Sequence, residues 1–63
     1  MTLSEFNSLD LKNQLEITWE KGIIEDTVTF GALYYILYKV DDFLVEIASR
    51  VDSNEILHVQ GFT

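Results

Sequence analysis

The spacing of apolar and polar positions changes at Gly22. Upstream of it Leu11, Leu15 and Trp19 recur at every fourth residue, with Thr18 beside them and Lys12, Glu16 and Glu20 on a neighbouring row. That spacing lays one apolar stripe and one solvated row along a helix. It predicts Leu11, Leu15 and Trp19 packed inward. Thr2–Leu3–Ser4–Glu5 fits a capping box, in which the Thr2 hydroxyl accepts from the Glu5 amide and the Glu5 side chain reaches back. A short first helix is therefore expected, carrying Leu3 and Phe6 inward. Ser8 or its neighbours cap the second, with Asp10 in the first turn and Lys21 in the last. Gly22 supplies a left-handed residue to end it.

Downstream the pattern is that of strands. Ile23 to Thr29 is β-branched but acidic at Glu25–Asp26, as suits an edge strand, and Phe30–Gly31 marks a turn or bulge. Two long strands then flank Asp41–Asp42, a two-residue loop that pairs Val40 with Phe43, Tyr38 with Val45 and Ile36 with Ile47. A three-residue loop, Asp52–Ser53–Asn54, with Asn54 left-handed, closes the pair Val51 and Glu55. It sets Ile47 opposite Val59 and Ser49 opposite Leu57. The expected fold is α+β, in a single domain: an N-terminal helix, or two short ones, packed on one face of a three- or four-stranded antiparallel meander.

Alternation assigns Tyr34, Ile36, Tyr38, Val40, Phe43, Val45, Ile47, Leu57 and Val59 to the face beneath the helix. The opposite face receives Leu33, Tyr35, Leu37, Leu44, Ile56 and Phe62, among Lys39, Glu46, Ala48, Arg50, His58 and Gln60. An apolar centre with a charged rim is the make-up of a protein interface. Length sharpens the point, because a chain of 63 residues buries only about 60% of its unfolded surface. Small domains compensate with disulfides, metals or oligomerisation. Without cysteine the natural remedy is a homo-oligomer, most simply a dimer.

Charge and motifs narrow the chemistry. Eleven acidic residues against four basic ones give a net charge of −7, and no basic cluster offers the positive footprint that nucleic acid requires. Met1–Glu5 has neither a positive n-region nor an apolar h-region, and the apolar run at 32–38 is too short to span a bilayer. The expectation is a cytoplasmic protein with neither nucleic acid nor membrane as partner. His58 is the only histidine and cannot supply a multi-histidine metal site. Asp52–Ser53–Asn54–Glu55 starts like a calcium loop but lacks the glycine and distal glutamate of an EF-hand. Asp41 and Asp42 read as turn formers. No catalytic residue, cofactor or metal site is expected.

One resemblance covers nearly the whole chain. Leu3–Ser4–Glu5–Phe6, Trp19–Glu20–Lys21–Gly22, Leu37–Tyr38, Asp41–Asp42–Phe43, Val45–Glu46 and Asn54–Glu55–Ile56 resemble a group of short bacterial proteins without known activity, chiefly from Bacteroidota. In the first hairpin Glu25–Asp26–Thr27–Val28–Thr29 replaces a more basic segment of that group. The resemblance implies no catalytic residue. The reading is therefore a non-enzymatic interaction module that self-associates or docks through the face bearing Leu33, Tyr35, Leu37 and Leu44. Two alternatives stand beside it: a small-ligand binder with a pocket near Trp19, Tyr34 and Tyr38, and an acidic mimic of nucleic acid.

Overall fold

Two capped helices open the chain in the computed structural model, which describes residues Met1–Thr63. Thr2 and Glu5 close the capping box of α1 (Leu3–Asn7), with the Thr2 amide donating to Glu5 Oε1 at 2.8 Å and the Glu5 amide to the Thr2 hydroxyl at 3.1 Å. Asp10 is itself the cap of α2 (Leu11–Lys21), accepting from the Asn13 amide at 2.9 Å. It stands just outside the first turn, where the sequence pattern places it inside. Four strands follow: β1 (Ile23–Phe30), β2 (Leu33–Val40), β3 (Phe43–Arg50) and β4 (Ile56–Phe62). They form one antiparallel sheet in the order β1-β2-β3-β4, an α+β meander with both helices on one face.

The core lies between α1 and the middle of the sheet. Phe6, Tyr38, Val40, Phe43, Val45 and Ile47 are buried together, and the Phe6 and Phe43 rings meet at 5.4 Å in a tilted arrangement of the kind aromatic pairs favour. Leu3, Leu15, Ile17, Ile36, Ile56 and Val59 pack around them. The N-terminal ammonium donates to Asp41 Oδ2 at 2.8 Å, tying the start of the chain to the β2–β3 turn.

Helix α2 is rotated from the orientation that its apolar stripe predicts. Thr18 is completely buried, whereas Leu11 is 54% exposed and Trp19 57%; only Leu15 of the stripe packs on the core. The reason is close approach. A β-carbon at Gly22 would collide with the Thr18 carbonyl of its own helix end and press within 3.0 Å of the Tyr38 ring, so the end of α2 lies tight against the sheet. Thr18 fits, and its hydroxyl is satisfied by the Gln14 carbonyl at 2.8 Å. Gly22 is therefore required for contact and not for a left-handed turn, since its φ is −73° and its backbone extended.

Two bulges set which residues share a face. The β2–β3 hairpin has the expected pairs Val40–Phe43, Tyr38–Val45 and Ile36–Ile47. In β1 the ladder shifts between Ile24 and Asp26; Glu25 is the extra residue, and it turns every later side chain to the opposite face. Asp26, Val28 and Phe30 thus join Leu37, Tyr35 and Leu33 away from the helices. In β4 the shift makes Leu57 the extra residue, so Ser49 faces Ile56 while Ile47 still faces Val59. The β3–β4 loop explains it. Arg50 and Glu55 close it, by an Arg50 amide to Glu55 carbonyl bond of 2.9 Å, which leaves four residues where the sequence pattern predicts three, and the bulge restores the register. Asn54 does adopt a φ of 58°. Leu57, assigned inward by alternation, is 46% exposed, and Ile56, assigned to the outer face, packs on the core.

Candidate functional site: the outer face of the sheet

The sheet has one covered face and one open face, and the open one can be read as four rungs across the strands. Phe30, Leu33 and Arg50 form the first rung, and Val28, Tyr35, Ala48 and His58 the second. Asp26, Leu37, Glu46 and Gln60 form the third, and Ile23, Lys39, Leu44 and Phe62 the fourth. Five of the six residues expected at an interface, Leu33, Tyr35, Leu37, Leu44 and Phe62, therefore share this face. Ile56 does not.

The strand β1 extends the patch beyond what alternation revealed. Val28 is 50% exposed and Phe30 76%, and both stand on the open face only because of the Glu25 bulge. A regular ladder would have turned them toward the helix side. The sole signal for them in the sequence is their β-branched or aromatic character beside a turn. The patch also holds a depression of about 170 Å³ lined by Val28, Tyr35, Leu37 and Phe62 between the carboxylates of Asp26 and Glu46.

The charged groups of this face are unevenly engaged. Glu46 Oε1 lies 3.0 Å from His58 Nε2, so the lone histidine has a carboxylate neighbour across the β3–β4 ladder. Arg50 is held by Asp52 at 3.2 Å, and the guanidinium keeps the Asp52 carboxyl below the usual carboxylate range. That ion pair occupies the carboxylate that the calcium-loop motif would have offered. Asp26 Oδ1 accepts from the Thr27 amide at 2.9 Å. The Lys39 side chain is exposed and makes neither ion pair nor hydrogen bond.

A second concavity, about 340 Å³, occupies the helix side of the sheet at its far end, lined by Thr29, Tyr34, Ser49, Arg50, Val51 and Asn54. It exists because α2 has 11 residues, about 16 Å of helix, whereas eight-residue strands run about 26 Å. It gathers hydroxyl groups and no carboxylate. Trp19, Tyr34 and Tyr38 do not meet in a pocket: Trp19 points outward, Tyr38 is in the core and Tyr34 lines this distal hollow. No helix is long and apolar enough to cross a membrane. Comparison with protein-family models, curated proteins and solved structures finds no match.

Proposed function

We propose that the protein is a small interaction module that self-associates by packing the outer faces of two sheets together. The observation that carries this reading is the contiguous run of apolar residues on a face that no helix covers: Val28, Phe30, Leu33, Tyr35, Leu37, Leu44 and Phe62. Patches of that kind mark contact surfaces on soluble domains. Area supports a second copy as the occupant. Four strands about 4.8 Å apart and eight residues long give a face of roughly 500 Å². Two such faces remove roughly 1,000 Å² from water, the size at which specific interfaces begin.

Charge supports it as well. The chain carries −7 overall, yet the outer face holds only Asp26 and Glu46, with Glu25 at the bulge beside Asp26, against two cations, Lys39 and Arg50. The acidity is concentrated elsewhere, so two outer faces approach with little mutual repulsion.

The test is mass in solution. Light scattering over a concentration series is expected to show the 7.3 kDa chain going over to twice that mass. Val28→Glu places a charge in the patch at a side chain already half exposed, and is expected to return the mass to monomer with an unchanged circular-dichroism spectrum. A parent that stays monomeric at millimolar concentration, or a Val28→Glu protein that dimerises as the parent does, overturns the reading.

A further inference from the structure

Resting on that self-association, we infer the register of the pair: a two-fold axis running along the strands, between β2 and β3, which seats Tyr35 of each protomer over Ala48 of the other and brings Lys39 beside the partner's Glu46. Face-to-face packing of identical surfaces requires the axis to lie between the sheets. With full overlap of the faces it runs either along the strands or across them.

An axis along the strands lays each rung over the same rung of the partner with strand order reversed, β2 over β3 and β1 over β4. Tyr35, half-buried on its own sheet, then stands over Ala48, the smallest side chain of the outer face, which its own neighbours already cover. A large side chain over a small one is how facing layers interdigitate. Ile23 meets Phe62, and Asp26 meets the uncharged Gln60. Lys39 lands over Leu44, next along β3 from Glu46 on the same face, at the rim of the depression. Packed sheets stand about 10 Å apart, a gap that a lysine and a glutamate close by reaching toward each other. The Lys39 methylenes lie on Leu44 and Phe62 while its ammonium reaches Glu46, which suits a flexible apolar stem with a charged tip.

The axis across the strands is less favourable on the same residues. It lays the fourth rung over the first, so that Lys39 faces Leu33 with the partner's Arg50, itself held by Asp52, beside it, and no carboxylate of the outer face opposite. It also sets Tyr35 over Leu37 in place of the small Ala48. Lys39 is the one cation of this face left without a partner in the single chain, and the register along the strands supplies it with one.

Charge exchange between protomers tests the register. Lys39→Glu alone faces the partner's Glu46, and Glu46→Lys alone faces the partner's Lys39, so each variant by itself is expected to dimerise roughly tenfold or more weakly than the parent. Mixing the two at equal concentration restores both contacts in the heterodimer: the introduced glutamate faces the introduced lysine, and the native Glu46 of one chain faces the native Lys39 of the other. Light scattering of the mixture is then expected to return to the parent's dimer mass. If both single variants dimerise like the parent, or the mixture stays monomeric, the register is wrong; a loss of dimer in Val28→Glu under the same conditions leaves self-association through this face standing. A monomeric parent removes both. Circular dichroism of each variant checks that folding is retained. The neutral pair, Lys39→Gln and Glu46→Gln, keeps the test decisive if a charge reversal unfolds the chain. Each of their homodimers lacks both contacts, whereas the heterodimer retains one between Lys39 and Glu46, so mixing is expected to recover part of the association; no recovery overturns the register.

Discussion

Gly61 lies against Phe6. A β-carbon at position 61 would come within 2.9 Å of the Phe6 ring and 2.9 Å of a Leu3 methyl, so the absence of a side chain on β4 is what lets α1 settle onto the sheet. Packing there is already tight, and an added methyl must displace the ring that anchors the core. Gly61→Ala is expected to cost about 1–3 kcal/mol, the range for overfilled cores. Urea denaturation followed by circular dichroism measures it. A midpoint equal to the parent's would mean that α1 does not lie this close to β4.

Phe6 and Trp19 are expected to exchange the importance that their sizes suggest. Phe6 is wholly buried against Phe43, whereas Trp19 is 57% exposed. Phe6→Ala is expected to cost about 3–5 kcal/mol, enough to unfold a domain of marginal stability. Trp19→Ala is expected to stay within about 1 kcal/mol, since surface changes seldom do more. The parent's tryptophan emission should lie near that of a solvated indole and shift little on unfolding. A large blue shift in the folded protein would place the ring in the core.

These residues also show what the sequence could and could not disclose. The β2–β3 register was legible because alternation and a two-residue loop leave little freedom, and Asn54 because few non-glycine residues accept a positive φ. The stripe Leu11–Leu15–Trp19 misled because hydrophobicity ranks residues by what burial would gain. The helix instead buries Thr18 and sets its end, at Gly22, against Tyr38, and closeness is a property of two surfaces that no single segment displays. The bulges at Glu25 and Leu57 were invisible for a related reason. Each compensates for loop or strand geometry elsewhere in the ladder, and each reverses the face of its neighbours. Hence Val28 and Phe30 were missed at the candidate interface and Ile56 was placed there in error.

Acid is expected to loosen the fold by a route that can be traced to three carboxylates. Hydrogen bonds from the Thr2 backbone amide and then the Thr2 hydroxyl hold Glu5 below its ordinary range; the N-terminal ammonium does so for Asp41, and the Arg50 guanidinium for Asp52. A carboxyl whose pKa is depressed by folding binds its proton more readily in the unfolded chain. The stabilisation is therefore complete above the unfolded value of about 4 and is lost as pH falls through the lower folded values. All three groups are exposed, so the effect of each is small and weakened by salt. The urea midpoint is expected to be level between pH 5 and 7 and to fall from about pH 4 downward. Glu5→Gln keeps an oxygen to accept from the Thr2 amide but carries no titrating proton, so its midpoint should begin slightly lower at pH 7 and fall less steeply toward pH 2. Curves for parent and variant that run parallel through that acid range would show that the capping box contributes nothing to the pH dependence.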